Sequence, residues 1–176
     1  VYFLLLQITI NIKTMGQETN PEFEKVIGHH FHDQGLLEEA LEESGLASAG
    51  NERLALVGDK ILALMLLRRW YREGNTTGMS NSSRIDIRLI YTEQGTSLLQ
   101  TYACNKQLTS MARDLDLQRF IHQRPDLERN VPDSTLATTV EAILGAVWVN
   151  SNENVQQVNE VMEKIGLYPS SGRVST

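Results

Sequence analysis

Residues 51–74 read NERLALVGDKILALMLLRRWYREG. Leu54, Ala55, Leu56, Val57, Ile61, Leu62, Leu64 and Met65 leave almost no face of the implied helix polar, the pattern of a helix packed inside a protein. Asp59 stands in the middle of that run. A carboxylate buried there without a partner costs several kcal/mol, so Asp59 is expected to be paired, metal-bound or protonated. Gly58, beside it, costs about 1 kcal/mol relative to alanine in a helix interior, and such a glycine lets another backbone come close. Whatever meets that point should be found elsewhere in the chain.

A second helix carries the same anomaly. Ser134 is expected to cap the stretch TLATTVEAILGAVWVN, where Glu141 lies among Leu136, Val140, Ile143, Leu144, Val147 and Trp148, with Gly145 one turn later. One such acid reads equally well as a salt-bridged structural residue. Two, each on an apolar helix with a glycine close by, point to two helices brought together around a shared polar site. Helical bundles build divalent-ion sites in this way. Oxygen-only ligands favour Mg2+ or Mn2+ over zinc. Seven residues turn a helix by about 700°, so Glu52 lies on the same side as Asp59, with position 55 between them. Position 138, one turn before Glu141, faces the same way. These places hold Ala55 and Thr138, which offer no carboxylate.

The remaining chain reads as helices with ordinary punctuation. Asn20-Pro21 opens the first, with Val26, Ile27 and Phe31 on its apolar side. Asp33 can cap a second containing Leu36, Leu37, Ala40 and Leu41, which Ser44-Gly45 would end. Asn51 caps the 51–74 helix, and Gly74 stops it. GNTTGMSNSS (74–83) is a loop or a loose helix start. Arg84–Ile90 and Thr96–Ala103 look helical, with a break at Glu93-Gln94-Gly95. Leu108, Met111, Ala112 and Leu115 recur at helical spacing, Ile121–Asp133 reads as a surface loop, and Val155, Val158, Met162 and Ile165 form a last helix. The class is all-α.

Composition narrows the function. At 176 residues the chain is long enough to bury a real core. A net charge of −6 argues against a protein that grips nucleic acid by bulk positive charge, so any RNA role must rest on a local site. The single cysteine, Cys104, excludes an internal disulfide, reads as a small buried hydrophobe, and fits a reducing, intracellular compartment, with cytoplasm, nucleus and mitochondrion left open. The apolar stretch VYFLLLQITINIKT (1–14) is too short to span a membrane and lacks a basic leader, so no membrane association is expected. Met15-Gly16 is a candidate natural start. Residues 1–19 are read as an extension outside the fold, 20–167 as the folded domain and 168–176 as a disordered tail. His29, His30 and His32 form the cluster GHHFH, whose spacing fits a turn around Phe31 better than a metal site; His122 has no evident partner.

NERLALVGDKIL resembles the signature of ribonuclease III domains, N-E-R-L-E-F-L-G-D followed by an apolar helix. TLATTVEAILGAVWVN is similar to the family's second signature, A-D-x-x-E-A-x-x-G-A. IGHHFHDQGLLEEALEESG and ACNKQLTSMARDLDLQRFI look like its opening and middle helices, so the resemblance runs from Phe23 to Leu167. It implies a dimeric, all-helical endonuclease fold acting on double-stranded RNA. In the family four acids hold divalent ions, usually magnesium, which activate a water and stabilise the charge on the phosphate. Carried over, two of those acids fall on Asp59 and Glu141, and the other two on Ala55 and Thr138. Glu52 matches the first Glu of the signature, whose role is at the edge of the site. The bulky residue that enters a pocket of the partner falls on Leu56, with Trp148 and Trp70 as candidates for the packing around it.

With two ligand positions degenerate, ordinary metal-dependent cleavage is expected to be weak or lost, since replacing even groups behind the ligands can cost about 10–100-fold. With the chain ending at Thr176, the double-stranded RNA-binding domain that often follows in the family is expected to be absent. Three readings stand: an RNA-contacting or structural subunit without ordinary catalysis, as in mitochondrial ribosomal relatives; an active endoribonuclease with a reduced metal site; and a helical interaction protein. The dimer can be of like chains or mixed with another ribonuclease III-like chain.

Overall fold

A computed structural model describes residues 21–43, 50–73, 86–122 and 131–168. The described chain is helical: α1 (21–27), α2 (Gln34–Leu41), α3 (Glu52–Glu73), α4 (Asp86–Tyr102), α5 (Asn105–Asp114), α6 (Asp133–Asn150) and α7 (Val155–Lys164). A single 3-10 turn, Leu117–Arg119, follows α5. The only β-type pairing among the described residues is an isolated bridge between Glu42 and His122. His122 N–H donates to Leu41 O at 2.8 Å there.

α6 is the central helix, packed against α3, α5, α2 and α7. Leu136, Ala137, Val140, Ile143, Leu144 and Val147 are all buried. The enclosure on nearly every face expected of α3 is found instead in α6. Leu54, Ile61, Leu62, Met65 and Leu66 of α3 face the core, but Leu56, Val57 and Leu64 are exposed. An apolar run fixes that a helix is hydrophobic; which faces are covered depends on partners it does not encode.

α3 and α6 cross in direct backbone contact. A Cβ built on Gly58 would stand 1.7 Å from the Glu141 carbonyl oxygen, and one on Gly145 would stand 2.1 Å from the Leu54 carbonyl oxygen. Backbone therefore lies directly on backbone, and only glycine fits on either side. A buried polar pair reinforces this core. Asn51 is 1 % exposed, and its side-chain N–H donates to Ala40 O at 3.1 Å and to Thr139 Oγ1 at 3.3 Å. The Asn51 carbonyl accepts from Ala55 N–H in the first turn of α3, while its amide turns inward to tie α2 to α6.

Three helix boundaries differ from the sequence expectation. α4 runs unbroken through Glu93-Gln94-Gly95, because Gly95 lies against Leu67 and Trp70 of α3 and that packing offsets the roughly 1 kcal/mol a helical glycine costs. α6 starts at Asp133, with Pro132 in the capping position and no side-chain cap bond, so Ser134 lies inside the first turn. Asp133 supplies the acid that the helix dipole favours there, and Arg113 pairs with it. α2 ends at Leu41, with Glu42 as its C-cap. The Asp33 cap is present, its Oδ1 accepting from Gly35 N–H at 2.9 Å. Ser44-Gly45, the loop 74–83, residues 1–14 and 169–176, and most of the loop after Ile121 lie outside the described residues. Tyr168, at the near edge of the expected tail, is packed, with its hydroxyl on Asn159 Oδ1 at 2.5 Å and the Arg69 guanidinium 4.4 Å from its ring. No described helix is long and apolar enough to cross a membrane.

Gly58→Ala is expected to destabilise the fold by about 3 kcal/mol or more, since the methyl group meets rigid backbone instead of a movable side chain. Urea denaturation checks this; a loss near the ~1 kcal/mol scale of an ordinary helix position would refute the close crossing.

Candidate functional site

The glycine crossing sets the site. Asp59 follows Gly58 on α3, and Glu141 is the residue of α6 whose carbonyl lies against Gly58. The two acids are near enough that the charge of Asp59 acts on Glu141. Burial, and then that charge, push the Glu141 carboxyl up to about 7, with Lys60 partly offsetting them. Near neutral pH Glu141 thus divides its time between the neutral and the charged form.

Asp59 is in a milder setting than an apolar helix implies. Its side chain is 38 % exposed, and Oδ2 lies 2.7 Å from Lys60 Nζ. That hydrogen bond and the charge of Asp59 hold the Lys60 ammonium above its ordinary range. Glu141 is the acid whose charged form burial disfavours. Lys60 had no place among the sequence-derived site residues, because a lysine beside an acid on a helix reads as a solvated pair.

The other positions fall as follows. Ala55 is buried at 5 % exposure in the first turns of α3, and Thr138 is half-buried one turn before Glu141. Neither brings charge to the site. Glu52 is exposed at the start of α3. Leu56 is 67 % exposed, and Trp148 is half-buried against the core. The histidines go separate ways. His29 is buried, its Nε2 3.0 Å from Asn150 Nδ2, and burial holds it below the ordinary histidine range. His30 Nδ1 lies 2.7 Å from Glu24 Oε2, and His32 meets the His30 ring edge-on.

The chain matches the ribonuclease III domain family over residues 52–152, which takes in α3 through α6 and both acids. The chain belongs to this family. It is 28 % identical to ribonuclease 3 of Idiomarina loihiensis over 141 residues, 78 % of this chain and 56 % of that protein. With ribonuclease 3 of Shewanella sediminis it shares 28 % identity over 134 residues, 74 % of this chain and 54 % of the other. The chain thus spans a little over half the length of these curated relatives. The fold matches the crystal structure of the nuclease domain of ribonuclease III from Campylobacter jejuni with a TM-score of 0.67 at 23 % identity, over 85 % of this chain and 95 % of that one. A second structure of that domain, described for flexibility in a region involved in dimer formation, matches with a TM-score of 0.65.

Family membership raises the question of a metal. Mg2+ and Mn2+ take oxygen ligands, and the family resemblance assigns four acids to the site. Among the described residues no three His, Cys, Asp or Glu side chains gather closely enough to hold a metal ion. Asp59 already has a cation beside it, and Ala55 and Thr138 supply no carboxylate. The residues present therefore do not fit the family's divalent-ion site.

The raised Glu141 value predicts how stability responds to pH. A carboxyl that titrates near 7 when folded and near 4.5 when unfolded binds more protons in the folded state between those values. Stability therefore falls as pH rises through that window and stays lowered above it. Glu141→Gln should be more stable than the parent by about 1–2 kcal/mol at pH 8, allowing for screening by water, and equal to it at pH 4. Denaturant titrations at both pH values read this out, and a difference independent of pH would contradict it.

Proposed function

We propose that this chain is a divergent ribonuclease III domain that serves RNA processing by engaging double-stranded RNA, with metal-dependent phosphodiester cleavage weakened or lost. One observation supports the reading: the α3–α6 crossing brings Asp59 near enough to act on Glu141, and the two positions to which the family resemblance assigns the other acids hold Ala55 and Thr138. Two acids, one of them paired with Lys60, cannot replace a set of four in holding doubly charged ions. Such a domain acts as an RNA-contacting or structural subunit.

A dimer goes with this reading. Leu56 is exposed on α3 where the family places the side chain that enters its partner, and neighbouring Val57 is exposed as well. Large apolar side chains in contiguous exposure mark interaction surfaces. The partner is a second copy of this chain or another ribonuclease III-like chain. The presence together of Asp59 and Glu141 also favours a second reading, an active endoribonuclease working with a reduced site.

With Mg2+ or Mn2+, the purified chain is expected to cut long double-stranded RNA poorly. The double substitution Ala55→Glu with Thr138→Asp should raise the rate about 10-fold or more by supplying the missing carboxylates. Gel analysis of the products decides the matter. Robust cleavage by the unmodified chain, abolished by Asp59→Asn, would overturn the proposal in favour of the active enzyme.

A further inference from the structure

The mismatch between the side chains present and a divalent-ion site has a positive counterpart in Lys60. Its Nζ lies 2.7 Å from Asp59 Oδ2, and its charge acts also on Glu141, across the helix crossing. Among the described residues, Lys60 is the base whose charge opposes the upward shift of Glu141. With both carboxyls ionised, as a divalent ion would require, the pair carries two negative charges, and the ammonium offsets one of them. A divalent ion entering here would have to displace Lys60 from Asp59, or lie beside a like charge while leaving the site with excess positive charge.

We infer that Lys60 is a built-in cation that takes the electrostatic place of the divalent ion, so that the Asp59–Glu141 site is closed to Mg2+ and Mn2+ by its own side chain and not merely by missing ligands. The inference rests on the reading that this site has left the family's metal chemistry, and it assigns a cause within the chain. Lys60 is a positioning residue. Its ammonium has three donors, of which Asp59 takes one, and its side chain is 75 % exposed, so the charge is presented to solvent and to any phosphate that approaches α3.

The test measures Mn2+ binding by electron paramagnetic resonance with the full 176-residue chain, free of RNA. Lys60→Gln is expected to bind Mn2+ about ten-fold more tightly than the parent, and Lys60→Arg to bind as weakly as the parent. Adding Asp59→Asn to Lys60→Gln should remove the gain, which places the ion at this site. Equal affinity of the parent and Lys60→Gln, whether tight or weak, overturns the inference. The readout is independent of cleavage. Equal and weak binding would leave the loss of catalysis to the missing acids, whereas robust cleavage by the parent would overturn the proposed function by its own test. The Lys60 side chain is 75 % exposed, so its substitutions leave the fold in place.

Discussion

The contact between Gly58 and Gly145 is the constraint on which the remaining structure depends. At both positions a single methyl group would overlap the backbone of the facing helix. Helices normally pack at about 8–10 Å between axes, with side chains in between. Here the side chains have been removed from the point of contact, and the helices meet on main chain. Two consequences follow. α6 is drawn so far into the molecule that residues on all its sides are buried. The residues flanking the glycines are brought to the crossing without freedom to withdraw, so Glu141 remains half-buried near Asp59 although its ionised form is disfavoured there.

Charge then decides what such a rigid site can do. Geometry of this kind suits a cluster of acids around metal ions, because rigid helices keep like charges together that would otherwise separate. This chain keeps the geometry and changes the charge. Ala55 fills its place with a methyl group at the edge of the core, Thr138 offers a neutral hydroxyl, and Lys60 adds an ammonium. Each change makes the site less negative. The chain is acidic as a whole, at −6, yet the crossing carries an ammonium beside its two acids, so the electrostatics of the site cannot be inferred from the net charge.

Much of this was legible in the sequence. The helices α3, α5, α6 and α7 follow from apolar spacing, and the pairing of Asp59 with Glu141 follows from two acids that violate that spacing, each with a glycine beside it. The rest was not legible, for identifiable reasons. Gly95 looks like a helix break until Leu67 and Trp70 are found against it, because propensity is local and packing is not. Asn51 reads as a cap, yet its amide reaches inward to Thr139, 88 positions away. Asp59 reads as the buried charge, whereas it is Glu141 that burial perturbs, since an apolar run does not disclose which of its faces is open. Lys60 carries no signal in one dimension: a lysine next to an aspartate is ordinary, and only the crossing brings its charge to bear on Glu141 as well.

The energetics separate what the fold needs from what it tolerates. Gly58 and Gly145 are required by packing alone, and any chain with this crossing must keep them whatever its chemistry. Glu141 is different. Its carboxylate opposes folding at neutral pH, where glutamine of the same reach would not, so packing gives no account of its identity. Groups held against a stability cost beside a second titratable group cluster at functional sites. Asp59, more exposed and paired with Lys60, is not marked out in this way. The sign of function at the crossing therefore lies in Glu141: under the proposed reading the site lacks two of the acids that the family resemblance assigns to it, yet it keeps a half-buried carboxyl that an ordinary core would not.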